Sequence, residues 1–248
     1  MSPAEPRQEV LRIGLVLPDV MGTYGDSGNA TVLEQRATLR GIPAEVVTIT
    51  LDDPVPDSLD IYTIGGAEDA AQRLATEHLL AHQGLQRAAA KGAPVLAICA
   101  ALQVLGEWYE LAEGTKIAGV GLLDVTTRGR SGARSIGEVV LEPRLAGLSE
   151  PITGFENHGG ASSLGPACQP LGAVKAGDGN AAGEPVEGAV QGSVVSTYLH
   201  GPVLARNPQL ADLLLARALG VPMQELAPLD LPSVRLLREE RFAAPRRG

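Results

Sequence analysis

The apolar run Pro94-Val-Leu-Ala-Ile98 passes directly into Ala100-Ala-Leu-Gln-Val-Leu105, with Cys99 at the joint. The first piece reads as a buried strand and the second as a helix. A turn this sharp lifts one side chain out of a sheet and directs helix N–H groups at whatever lies there. A thiol at a helix N-terminus is favoured as thiolate, the nucleophilic form. Open α/β sheets also place their sites at the carboxyl ends of central strands. The competing reading is a buried structural cysteine, since free Cys is often buried.

The rest of the chain builds the sheet this junction needs. Val10 to Leu17 reads as a first strand, followed by the Gly-rich loop Leu17 to Asn29 and a helix to about Arg40. Ala44 to Thr50 and Ile61 to Ile64 are further strands, and Gly65-Gly66 ends the second of these. Glu68 to Ala81 and Leu85 to Lys91 read as helices before the Cys99 strand. This β-α-β-β-α-β order predicts an α/β fold: a mostly parallel core with helices on both faces. Beyond Trp108 short strand-like pieces recur up to Tyr198, which predicts an antiparallel extension of the same sheet. Arg128 to Ala133 reads as a surface loop, and Pro208 to Leu219 as a last amphipathic helix. We expect a disordered tail over 1–9 and one domain over 10–220. The stretch 221–248 reads as a tail that is either partner-docking or disordered.

Composition narrows the function. The net charge of −9 argues against a nucleic-acid partner. Two cysteines, Cys99 and Cys168, make neither a disulfide framework nor a metal cluster, so no metal site is expected. No apolar run approaches the roughly 20 residues of a membrane span, and the first residues lack a signal-peptide pattern. A cytoplasmic protein is the expectation.

Four features carry chemistry. His200 ends the apolar run Val194 to Leu199, where it can project beside Cys99 and shuttle a proton; an ordinary strand-end histidine is the alternative. Gly65 and Gly66 let backbone N–H groups approach a ligand, and with the Ala100 N–H could form an oxyanion hole; a tight turn is the alternative. Asn157 and His158, set between glycines in Gly154 to Gly160, suggest a close-fitting site, against a loop held by local hydrogen bonds. Arg134 could clamp a carboxylate, against a solvated surface charge.

In series these segments resemble the class I, triad-type glutamine amidotransferases of the cobyric-acid-synthase-like branch, and within them the glutaminase subunits of lipid II isoglutaminyl synthases. The resemblance rests on Tyr24-Gly-Asp-Ser-Gly-Asn29, Ile64-Gly-Gly66, Ile98-Cys99 with Gln103 and Leu105-Gly106, and Gly119 to Asp124. It continues through Arg134 with Gly137 to Glu142, Gly154 to Gly160 and Thr197-Tyr-Leu-His-Gly-Pro202, in family order. It implies that Cys99 attacks the carboxamide of L-glutamine, that His200 is its base and acid, and that Arg134 holds the α-carboxylate. It adds Gln103 to the substrate-binding residues. It implies no cofactor in this chain. Ammonia would pass to a MurT-type, Mur-ligase-like partner, which brings ATP and Mg²⁺ and amidates the D-glutamate α-carboxylate of lipid II. An amidotransferase for another, cobyrinate-like acceptor and a silent scaffold for a synthetase are the other readings.

Two positions depart from the family pattern. Ala100-Ala101 follow the nucleophile where many relatives have Gly-Gly, and Pro202 stands where the usual triad glutamate would be. The third acid is expected from the partner. Asp26 is the weaker choice, because an aspartate there also reads as a helix N-cap.

Overall fold

The computed structural model describes residues 10–22, 24–130 and 132–243. The expected tail over 1–9 lies outside the described residues.

β1 (Leu11–Val16), α1 (Gly28–Thr38), β2 (Ala44–Ile49), β3 (Ile61–Ile64), α2 (Asp69–His82), α3 (Gly84–Ala90), β4 (Val95–Ile98) and α4 (Ala100–Leu105) follow in order. α2 ends at Gln83, which takes a left-handed backbone (φ 53°) and starts α3. Gly84 is required there, because a Cβ would lie 1.6 Å from the Val55 carbonyl oxygen.

β5 (Trp108–Glu110), β6 (Lys116–Ala118), β7 (Val125–Gly129), β8 (Ser135–Pro143), β9 (Ile152–His158) and β10 (Gly160–Leu164) come next. They are followed by β11 (Gly172–Ala176), β12 (Val186–Glu187), β13 (Ala189–Gln191), β14 (Val194–Thr197) and β15 (Leu199–His200). The chain closes with α5 (Val203–Arg206), α6 (Pro208–Leu219) and α7 (Pro232–Ala243).

The main sheet has the order β13-β14-β4-β3-β1-β2. Its inner pairs are all parallel, and only the edge strand β13 runs antiparallel. β3, β4 and β14 are buried at every position, as strands covered on both faces should be, and β4 is apolar throughout. The predicted α/β class with a parallel core is what forms.

The antiparallel part is distributed differently from the sequence expectation. β13 alone extends the main sheet; the others make a four-stranded sheet, β10-β7-β5-β6, and a five-stranded one, β12-β11-β8-β9-β15. Pieces of two to nine residues carry too little pattern to say which sheet each joins. The chain changes sheets at Tyr198. β14 pairs with β4 in the main sheet, and β15 pairs with β9 in the five-stranded one.

Helix α1 packs its buried face (Asn29, Ala30, Leu33, Arg36, Ala37) inward. Arg36 makes a two-pronged pair with Asp212 of α6 at 2.8 and 2.6 Å, joined by Arg40 at 2.9 Å. Within the expected tail, α7 lies against the body: Arg238 donates to the carbonyls of Arg206 (2.6 Å) and Pro151 (3.2 Å). Among the described residues no helix is long and apolar enough to cross a membrane.

Candidate active site

Three loops meet at the carboxyl edge of the main sheet, one after β1, one after β3 and one after β4, and β15 adds its end to them. Cys99 occupies the joint between β4 and α4 with φ 54° and ψ −110°. A non-glycine residue holds such a backbone only where its surroundings enforce it. Here its N–H is tied to the Thr197 carbonyl at 2.8 Å. The thiol residue is 7% exposed, so it opens to solvent on one side only.

His200 is 3% exposed, and its Nδ1 lies 2.9 Å from Asp26 Oδ1 and 3.1 Å from Oδ2. The acid expected from a partner is therefore supplied by this chain. The correction has a physical reason. The loop after β1 carries Asp26 across the mouth of the main sheet, where its side chain turns inward instead of capping α1; Ser27 is the residue at the cap. Asp26 is 2% exposed, and its Oδ2 also accepts the Gly66 N–H at 2.9 Å.

Burial works against a charged His200. The Asp26 carboxylate and the neighbouring Cys99 outweigh it and raise the imidazole from 6.5 to about 9. Among the described residues its Nε2 meets no partner at ordinary hydrogen-bond distance and angle, although the Cys99 thiol beside it helps raise its pKa. The three side chains converge on Gly66: a Cβ built there would lie 3.3 Å from Asp26 Oδ2, from Cys99 Cβ and from His200 Cε1.

The expected oxyanion hole changes accordingly. Gly66 gives its N–H to Asp26, so it does not point a free donor at a substrate. Ala100, the first residue of α4, has no intrahelical acceptor for its N–H and lines the cavity next to Cys99. Gly65 is a packing position, where a Cβ would lie 2.4 Å from the Met21 carbonyl oxygen.

A cavity of about 440 Å³ opens over the thiol and is lined by Cys99, Ala100, Gln103, Arg134 and His158, among others. Arg134, just before β8, is exposed at its rim. It donates to Asn157 Oδ1 (3.0 Å) and to the Asn157 carbonyl (3.1 Å), and Asn157 donates in turn to Tyr24 Oη (2.9 Å). Asn157 thus holds Arg134 and does not line the cavity. Gln103 accepts from Gln72 Nε2 at 2.7 Å and donates to Tyr198 Oη at 3.1 Å. His158 stacks on Tyr198 with ring centroids 3.7 Å apart.

Tyr24, Gln72 and Tyr198 were not singled out in the sequence. The first and last stand inside motifs already noted, Tyr24 to Asn29 and Thr197 to Pro202. Cys168 lies away from this site. Burial pushes its thiol up to about 11, and it donates to Gln191 Oε1 at 3.1 Å.

The CobB/CobQ-like glutamine amidotransferase domain matches residues 12–208. The chain is 37% identical over 215 residues to the lipid II isoglutaminyl synthase (glutamine-hydrolyzing) subunit GatD of Staphylococcus aureus (strain N315), covering 84% of this chain and 85% of that one. It is 34% identical over 211 residues to the subunit of the same name from Streptococcus pneumoniae (strain ATCC BAA-255 / R6), covering 84% and 80%. Among solved structures, PurLQS from Thermotoga maritima is similar in fold, with a TM-score of 0.58 at 15% identity, over 85% of this chain and 100% of that one.

Proposed function

The chain belongs to the CobB/CobQ-like glutamine amidotransferase family, and from that premise we propose that it is the glutaminase subunit of a lipid II isoglutaminyl synthase, releasing ammonia from L-glutamine through a Cys99 thioester. The observation that carries the reading is the Asp26–His200 contact beside Cys99, a residue that lines one cavity together with Arg134.

Arg134 pairs with the glutamine α-carboxylate and leaves the carboxamide over the thiol. The Cys99 sulfur attacks the carboxamide carbon, while His200 holds the proton that the sulfur gave up. The negative oxygen of the tetrahedral adduct faces the Ala100 N–H at the start of α4. The C–N bond then breaks, the His200 proton goes to the leaving nitrogen, and ammonia departs. A water molecule gives its proton to His200 and attacks the thioester. Glutamate leaves, and the sulfur recovers its proton. Asp26 keeps the imidazole in one tautomer and stabilises its charged form.

The partner that takes the ammonia is an ATP- and Mg²⁺-dependent Mur-ligase-like subunit of the MurT type, and its acceptor is the D-glutamate α-carboxylate of lipid II. Both halves work in the cytoplasm. The test is glutamate and ammonia release by the purified chain, with mass-spectrometric mapping of a glutamine-analogue diazoketone. Release with label on Cys99 is expected. Hydrolysis that survives Cys99→Ala would overturn the reading.

A further inference from the structure

The mechanism leaves one fully buried carboxylate unused. Glu187 ends β12 at 0% exposure, and among the described residues no cation pairs with it. Burying an unpaired carboxylate is unfavourable, so its surroundings must supply donors. Both of its oxygens accept from the Thr197 hydroxyl at 2.9 Å, and Oε1 also accepts the Tyr198 N–H at 2.6 Å.

Those donors stand at one point of the fold, the step from β14 to β15. The Tyr198 N–H is freed there as the chain leaves one sheet for another, and a buried free N–H needs an acceptor. The same segment touches the backbone of Cys99 and of the residue before His200. The Thr197 carbonyl accepts the Cys99 N–H at 2.8 Å. The Thr197 hydroxyl accepts the Leu199 N–H at 3.1 Å, one residue before His200. Arg134, by contrast, is held by Asn157, which donates in turn to Tyr24 Oη, and among the described residues it has no bond to this network.

We propose that Glu187 is a positioning residue whose carboxylate clamps the Thr197–Tyr198 peptide and thereby sets the Cys99 backbone and the His200 imidazole relative to each other. The inference rests on the reading of Cys99 and His200 as nucleophile and base. A clamp of this kind acts on the chemical steps and not on glutamine capture, because it does not touch the carboxylate site.

The experiment is steady-state glutaminase kinetics on the purified full chain and its Glu187→Gln, Thr197→Val and Cys99→Ala variants. Rates are expressed per active site titrated with the diazoketone. Glu187→Gln keeps the shape and one acceptor, so a folded protein is expected. Its kcat per titrated site should fall by ~10-fold or more with KM within about twofold, since small misplacements of reacting groups can cost ~10²-fold. Thr197→Val should fall in the same way, and it carries the test if Glu187→Gln is recovered unfolded. A purely structural role lowers the number of titrated sites and leaves the rate per site unchanged; that result, or a rise in KM at constant kcat, would overturn the proposal. A wild-type chain without Cys99-dependent hydrolysis would overturn the underlying reading, and this one with it. An active wild type beside an unimpaired Glu187→Gln overturns the clamp alone.

Discussion

Asp26 Oδ1 lies 2.9 Å from His200 Nδ1, although 174 positions separate the two residues. The contact ties the loop after β1 to the strand after β14, and it brings a Cys, a His and an Asp of one chain together. Asp26→Asn keeps the shape but offers an amide where the carboxylate stood. From the effect of such changes on triads, kcat should fall by ~10²- to 10⁴-fold. The purified variant against wild type, each without any partner, is the measurement; an unchanged kcat would remove Asp26 from the site.

The same contact has a pH signature. Asp26 and Cys99 hold the His200 pKa up, to about 9. The charged imidazole therefore survives from neutral pH up to that value, and the proton it gives to leaving ammonia is lost above it. Activity should hold through neutral pH and decline on an alkaline limb near 9. Removing the carboxylate removes a cause that raises the pKa, so Asp26→Asn should move the limb to lower pH. A limb that stays in place would assign it to another group.

The two cysteines should separate cleanly. Cys99→Ala should lower glutamine hydrolysis by ~10³-fold or more, while ammonium salts still support amidation by the complex. Cys168→Ala should leave hydrolysis intact, because its buried thiol is raised to about 11 and faces Gln191 instead of the cavity. Iodoacetamide labelling followed by peptide mapping should find Cys99 and pass over Cys168.

Arg134→Ala should raise the glutamine KM with little change in kcat. Hydrogen bonds to charged groups contribute about 1.5–3 kcal/mol, so the rise should be ~10- to 150-fold. The exposed position of Arg134 favours the lower part of that range. Asn157→Ala should give a smaller rise, since it frees the guanidinium without removing it. Glutamine saturation curves for both variants check the order.

Glu187 should leave a mark on stability. Burial raises its pKa from 4.5 to about 7, opposed by its bonds to Tyr198 and Thr197 and reinforced by Glu156. Glu156 is itself held by the Asp178 and Gly179 N–H groups, with His158 Nε2 at 3.8 Å. The folded chain keeps the Glu187 proton to higher pH than the unfolded chain does. This contribution to stability is therefore present in acid and is lost as pH rises from 4.5 to about 7. Glu187→Gln removes that loss. Its urea midpoint should gain on wild type as pH rises from 4.5 to about 7; a constant difference would contradict the assignment.

The parallel core and the strand-to-helix joint that carries Cys99 were legible in the sequence for the same reason. Ile61–Ile64 and Val95–Ile98 are buried on both faces, and an unbroken apolar run ending in a helix is a local signal. Asp26 was harder. An aspartate two residues before a helix fits a cap as well as a site, and only the folded loop shows which way the side chain turns. The Gly66 N–H was misjudged for the same cause, since its acceptor is Asp26. Glu187 gave no local sign at all. Its two-residue strand is defined by neighbours distant in sequence, and its donors belong to a sheet change at Tyr198 that no periodicity marks.

The sheet order β14-β4-β3-β1 also governs when the thiol can begin to react. Cys99 is synthesised well before His200, and β14, which ties down its backbone N–H, arrives only after every strand of the four-stranded sheet has been made. A chain still emerging from the ribosome thus carries Cys99 and Asp26 before His200, which bonds that acid, has been made. The Asp26–His200 contact can form only once the chain is made through His200 and folded back onto the loop after β1.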